Sequence, residues 1–157
     1  MPKTQAQDFI LEAFLPYRLS LLSNTVSQRI AQAYRKPHGL SVTEWRVIAV
    51  LGRFPGLTAS EIMQRTAMDK VAISRAVKSL QQRGLVDRSP HSEDRRRLPL
   101  RLTPGPGEAM FAEVVPKALA CEAQLISSLS KDERVALDKL LLKLQTAAES
   151  LSPPQGD

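Results

Sequence analysis

Residues 58–103 read TASEIMQRTAMDKVAISRAVKSLQQRGLVDRSPHSEDRRRLPLRLT, and the order of signals in this stretch decides the fold. Thr58 and Glu61 have the Ser/Thr-x-x-Glu spacing of a capping box, in which the hydroxyl caps a first-turn amide and the carboxylate reaches back to the cap's own N–H. A short apolar-periodic run, 59–66, follows and breaks at Ala67-Met68-Asp69. A second helix is expected over 70–83. At 100° per residue it groups Ile73, Ala76, Val77 and Leu80 on one side and Val71, Ser74, Arg75, Lys78 and Gln82 on the other. Gly84 ends it, and the period changes to that of strands: Leu85-Val86-Asp87-Arg88 and Leu98-Pro99-Leu100-Arg101-Leu102 flank a wholly polar stretch, which reads as a hairpin with a charged tip. Pro99 lacks a donor, so its strand belongs at an edge or is broken there.

Helix, turn, helix and hairpin in that order form a winged helix. Working outward, Ser41 with Glu44 and Ser130 with Glu133 repeat the capping-box spacing, while Pro37-His38-Gly39 and Phe54-Pro55-Gly56 are stops. Helices are expected at 15–35 and 42–53 before the core stretch and at 108–128 and 131–151 after it, with Thr103-Pro104 as a cap followed by a proline at the first helical position. Residues near Leu57 can add a third short strand. The expected fold is mainly α with a small β-wing, six helices and two to three short strands, in one domain over 1–157. Its winged helix-turn-helix covers 41–103, and terminal helices occupy 8–36 and 104–151.

Those terminal helices carry more apolar surface than they can hide in one domain: Leu19, Leu21, Leu22, Val26 and Ile30 in the first, and Leu125, Ile126, Leu129, Val135, Leu137, Leu140, Leu141, Leu142 and Leu144 near the end. Burial against the same elements of a second copy solves this, so a symmetric homodimer is expected. A larger monomeric helical core is the alternative.

Charge narrows the partner. Between Arg65 and Arg101 lie ten basic and four acidic residues, a net +6 that equals the charge of the whole chain. A calculated pI of about 9.8 points to a polyanion, nucleic acid or an anionic surface. The aliphatic runs, such as Val47 to Leu51, are far short of the roughly 20 residues of a membrane span. No leader pattern opens the chain, and a single cysteine cannot form an internal disulfide, so a cytoplasmic setting is expected. Enzyme chemistry is not indicated. His38 and His91 are far apart in sequence, there is no Cys/His metal spacing, and neither a phosphate-cradling glycine loop nor a Gly-x-Ser-x-Gly occurs. His91, Ser92 and Asp94 share one turn without the rigid geometry of a triad. No cofactor or metal is implied.

Double-stranded DNA fits both basic elements at once. On the second helix Arg75 can make a bidentate contact to guanine, Ser74 can reach a base or phosphate, Val71 and Ala72 can touch a thymine methyl, and Lys78 suits a phosphate. Ser60 and Lys70 complete the candidate set on the two helices. In the turn Ser92-Glu93-Asp94-Arg95-Arg96-Arg97, three adjacent arginines repel one another. Asp94 is expected to hold one, Arg95, so that Arg96 or Arg97 can enter a minor groove. A basic loop binding phosphates without order is the alternative for the turn, and a protein- or RNA-binding winged helix is the alternative for the whole.

The chain resembles the multiple antibiotic resistance regulator (MarR) family of dimeric winged-helix transcription factors. The likeness rests on LSVTEWRVIAVL (40–51), on 58–89 and above all on SEDRRRLPLRLT (92–103), which looks like the family's wing signature. One departure is Pro106, where the family commonly has a glycine three positions beyond the threonine. The resemblance implies a dimer on a pseudo-palindromic operator, with the second helix of the motif in successive major grooves and the wings in flanking minor grooves. It further implies a repressor released by a small molecule bound where the terminal helices meet the winged helix. Within the family, FLPYR (14–18), EWRV and TAMDKVAISRAV look most like members that sense aromatic carboxylates or their coenzyme A thioesters, such as the hydroxycinnamate regulators. Arg18 offers a planar fork to a carboxylate, and Tyr17, Trp45 and Met68 can supply walls. The structural alternatives are a core Trp45, a dimer-contact Tyr17 and an intersubunit ion pair for Arg18. Some relatives sense oxidants through a cysteine near the N-terminus. Cys121 lies mid-helix beside Glu122, which disfavours a thiolate, so a plain helical cysteine is expected.

Overall fold

A computed structural model of the chain describes residues 9–88 and 98–152. After a 3-10 turn, Leu11–Ala13, the elements are α1 (Leu15–Ala31), α2 (Arg35–His38), α3 (Val42–Arg53), α4 (Ala59–Thr66), α5 (Lys70–Gln82), β1 (Val86–Arg88), β2 (Leu100–Leu102), α6 (Pro106–Ile126) and α7 (Lys131–Glu149). All three capping boxes form. The Ser41, Thr58 and Ser130 amides each donate to the glutamate three residues on, at 2.7 Å, and the three hydroxyls accept the returning amides at 3.1, 3.3 and 3.3 Å. Caps of this kind are worth about 1 kcal/mol each.

The strands pair antiparallel with Val86 opposite Leu102 and Arg88 opposite Leu100. Near Leu57 the third strand reduces to a single bridge to Leu100. Around this sheet, α3, α4 and α5 close a core of Val47, Ile48, Leu51, Ile62, Ile73, Ala76, Val77, Leu80, Leu85, Val86, Leu100 and Leu102, joined by Ala31, Tyr34, Leu40 and Val114. The four apolar residues assigned to the inner side of α5 are all buried.

The last two helices end two residues earlier than expected, at Ile126 and Glu149, and two other boundaries differ for reasons of packing and capping. The first helix does not run to residue 35; it stops at Ala31. Tyr34 then turns inward, where it is buried and stacks on Trp45 with ring centroids 5.6 Å apart. A four-residue helix follows and ends at Gly39, whose φ of 61° suits glycine. Packing of one tyrosine thus overrides the helical period of 15–35. Helix α6 likewise begins at Pro106, not Pro104. Thr103 Oγ1 still caps it, accepting from Gly107 N at 3.0 Å and donating to the Gly84 carbonyl at 2.6 Å. Proline fits the first helical position because the amide there has no intrahelical partner. Gly107 is required by close approach: a Cβ there would lie 2.2 Å from the Leu85 carbonyl oxygen.

By its contacts the chain divides into two compact units, 1–118 and 119–157. In the first, α1 leaves Leu15, Tyr17, Leu19, Leu21 and Leu22 exposed. In the second, α7 has no buried residue, and Val135, Leu137, Leu140, Leu141, Leu142 and Leu144 are all exposed. Among the described residues no helix is long and apolar enough to cross a membrane.

Candidate nucleic-acid interface

The outer face of α5 follows from its inner one. With Ile73, Ala76, Val77 and Leu80 in the core, Val71, Ser74, Arg75 and Lys78 stand exposed, as do Lys70 in the first turn and Ser60 on α4, while Ala72 is half-buried. Val71 is 57% exposed, an apolar side chain left in water on an otherwise polar face. Asp69 starts the helix, its carboxylate accepting from Ala72 N at 2.8 Å. Ser60, Lys70 and Ser74 share one cleft with Ala59, Met63 and Ile73, and Ala72 and Arg75 border another with Ser41, Thr43 and Glu44. The α4–α5 turn passes through Ala67 at φ 50°, the left-handed region in a residue with a Cβ.

The focused charge divides into two groups. Arg65 lies over the Phe54 ring, 4.1 Å from its centroid. Arg83, just past α5, donates to the His38 and Gly39 carbonyls, and Arg101 lies in a cavity behind β2. Arg65 and Arg83 are thus engaged with the protein itself, and Arg101 is set apart in the cavity. Lys70, Arg75, Lys78 and Arg88 are exposed and without an ion-pair partner among the described residues. Asp94, Arg95, Arg96 and Arg97 fall outside the described residues.

What holds α5 in place was not singled out in the sequence beyond one capping signal. Glu44, buried to 8% exposure, uses one carboxylate oxygen for its capping box and the other to accept from Ser79 Oγ of α5 at 2.6 Å. Burial raises its pKa, but the Ser41 amide, the Ser79 and Ser41 hydroxyls and the Arg83 charge outweigh burial and hold it below the usual carboxylate value. A second contact joins α2 to α6, where His38 Nε2 meets Glu113 Oε1 at 3.0 Å, and Glu113 also accepts from Lys117. Hydrogen bonds to the Lys117 ammonium first, and the nearby His38, keep the Glu113 carboxyl low.

The four candidate effector residues do not form one cluster within a chain. Met68, in the α4–α5 turn, has its Sδ 3.8 Å from Arg46 Nη1, and Arg46 Nη2 donates to Ser27 of α1 at 3.1 Å. Trp45 is half-buried in its stack with Tyr34. Tyr17 and Arg18 are exposed, and Arg18 is nine residues before Ser27, about 14 Å along the helix axis at 1.5 Å per residue. Sequence reasoning passed over Arg46, although it lies inside EWRV; the signal was a cation on the half-buried side of an apolar helix. Cys121 is half-buried in α6.

Comparison with known proteins agrees with this architecture. Residues 38–97 match a family model described as MarR family. The chain is 28% identical over 132 residues to the HTH-type transcriptional repressor MdtR of Bacillus subtilis (strain 168), covering 84% of each. It is 34% identical over 91 residues to the HTH-type transcriptional repressor NicR of Pseudomonas putida, 58% of this chain and 57% of that one. A crystal structure of a MarR/EmrR family transcriptional regulator from Acinetobacter sp. ADP1 has the same fold, with TM-score 0.83 at 27% identity over 91% of this chain and 100% of that one. Helix order, the exposed basic face of α5, the MarR family match across the winged helix and relatives that are transcription regulators converge, and the chain is similar in sequence and fold to the MarR family of winged helix-turn-helix transcriptional regulators.

Proposed function

We propose that the protein is a homodimeric, ligand-responsive repressor that reads a pseudo-palindromic operator with α5. The observation that carries this is the division of α5: an inner face locked by Ile73, Ala76, Val77 and Leu80 and by the Ser79–Glu44 bond, and an outer face of Val71, Ser74, Arg75 and Lys78 free to meet a groove. Arg75 reads guanine, Ser74 a base or phosphate, Val71 and Ala72 a thymine methyl, while Lys70, Lys78 and Ser60 take phosphates. In the wing, Asp94 holds Arg95 while Arg96 or Arg97 enters the minor groove.

The exposed apolar faces of α1 and of α7 support the dimer, because each leaves leucines in water along a whole helix. Two half-sites about one helical turn apart follow from two-fold symmetry. The effector is an aromatic carboxylate or its coenzyme A thioester. Arg46 joins Tyr17, Arg18, Trp45 and Met68 as a binding residue, with Arg18 reaching the ligand from the second copy of the dimer. A cation linking α1 to the α4–α5 turn is well placed to exchange its Ser27 partner for a ligand carboxylate.

The test is a salt-titrated binding assay on operator fragments selected from genomic DNA. Specific sites should exceed random DNA by about a thousandfold and weaken steeply with salt; equal affinity for both refutes the reading. Addition of the aromatic acid should release the DNA, and Arg18→Ala should keep operator affinity while losing that response. Light scattering that gives a monomer at micromolar concentration refutes the dimer.

A further inference from the structure

Behind the wing, on the opposite end of α3 from its Ser41 cap, lies a cavity of about 230 Å³ lined by Leu51, Gly52, Pro55, Arg101, Leu102, Pro104, Glu108 and Phe111. Its walls are apolar: leucines from α3 and β2, two prolines, and the Phe111 ring packed so tightly on Gly52 that a Cβ there would fall 2.4 Å from a ring carbon. Two charged groups of opposite sign interrupt them. Arg101 is the middle residue of β2, between the buried Leu100 and Leu102, and its Nε is buried without a hydrogen-bond partner. A buried N–H left unpaired in an arginine is costly, and no ion pair engages the rest of the guanidinium among the described residues.

The neighbouring acids do not supply a partner. Asp87 is opposite Arg101 in the strand register, but its Oδ1 accepts from the Arg88 amide at 2.7 Å, and neither Asp87 nor Glu108 comes within ion-pair distance of Arg101 among the described residues. The site therefore offers a planar cationic fork, an apolar slot and a carboxylate acceptor. Its volume is below the roughly 300–1,000 Å³ of pockets for drug-sized ligands, which limits the occupant to about one ring.

We propose that this cavity is a second small-molecule site, for a compact organic carboxylate that carries a hydrogen-bond donor at its other end. The ligand's carboxylate pairs with the terminal nitrogens of the Arg101 guanidinium, its body fills the slot against Leu51, Leu102 and Phe111, and its donor meets Glu108. The elements brought together are α3, β2 and the start of α6. Because β2 is also tied to the α3–α4 loop by Leu100 N to the Leu57 carbonyl and Gly56 N to the Leu100 carbonyl, both 2.8 Å, occupancy ties the base of the wing to the helix that leads away from it. The site is separate from Arg46 and does not rest on the effector reading given above.

The probe is 4-hydroxybenzoate, titrated into ¹⁵N-labelled full-length protein, with 4-hydroxybenzyl alcohol as its uncharged counterpart. Saturable amide shifts are expected at Gly52, Arg101, Leu102 and Glu108, with the alcohol binding about tenfold or more weaker, the usual scale for a lost charge-assisted hydrogen bond. Arg101→Gln should weaken the acid by a similar factor. Absence of saturable shifts at these amides, equal affinity for acid and alcohol, or undiminished binding by folded Arg101→Gln overturns the proposal. Shifts confined to Ser27, Arg46 and Met68 also overturn it while leaving the effector site intact. The comparison of acid with alcohol uses the unaltered protein, so a variant that fails to fold does not remove the test.

Discussion

Replacing Ser79 with alanine removes the one side-chain bond that joins α5 to the buried carboxylate of α3. The hydroxyl donates to Glu44 at 2.6 Å, and a hydrogen bond to a charged group is worth about 1.5–3 kcal/mol. Two effects bring the net cost to the low end: Glu44 keeps the Ser41 amide at 2.7 Å, and alanine is the better helix former by up to about 0.5 kcal/mol. A loss of about 1–2 kcal/mol follows, which for a chain of this size lowers Tm by about 3–6 °C. The sign with pH is fixed by the direction of the Glu44 shift. Its carboxyl is held below the usual value, so the stability it contributes is present above the unfolded pKa, near 4.3, and is lost as pH falls through the lower folded pKa. Denaturant unfolding of both proteins at one protomer concentration, at pH 7 and again below pH 4, measures this. The gap should be full at pH 7 and shrink in acid, while operator affinity well below Tm stays near wild type because the outer face of α5 is untouched. Equal stability at pH 7, or a gap that does not change with pH, refutes the account of Glu44 as an ionised anchor.

Arg75→Ala should cost about 1–3 kcal/mol on the operator and relax preference at one base position, whereas Lys78→Ala should weaken all DNA alike and reduce the salt slope by about one; fluorescence anisotropy on specific and scrambled duplexes separates the two. Ala67→Gly should stabilise the fold by up to about 1 kcal/mol, since relief of the left-handed strain at φ 50° exceeds the added freedom of the unfolded chain, and thermal unfolding reads the sign. Gly107→Ala should destabilise by about 1–3 kcal/mol, because its Cβ would meet the Leu85 carbonyl at 2.2 Å; an unchanged Tm would mean that the start of α6 can shift freely.

Local chemistry made much of this chain legible. A capping box needs only two residue types three positions apart, so Ser41, Thr58 and Ser130 mark three helix starts without reference to anything distant. The two faces of α5 follow in the same way, because the residues that reach the core determine geometrically which ones cannot. The strings 58–89 and 92–103 together carried the resemblance to the MarR family. Less legible were the first helix, which ends early because Tyr34 has to reach Trp45, and the start of α6, where Thr103 caps across two residues and Pro104 lies outside the helix.

Charge shows the same boundary between local and distant causes. Counting residues gives a net +6 between Arg65 and Arg101, and that is enough to name a polyanion as partner. It cannot say that Arg65 lies on Phe54, that Arg83 is bound to the His38 and Gly39 carbonyls, or that Arg101 is enclosed behind β2. Nor can it show Glu44 and Ser79, 35 residues apart, closing on each other, or Arg46 between Ser27 and Met68. Helix starts, periodicity and wing are written in neighbours along the chain, so the sequence by itself determined the fold class and which face of α5 is left exposed. The role of each charge depends on which remote side chain or carbonyl packs beside it, and only the tertiary structure decided that.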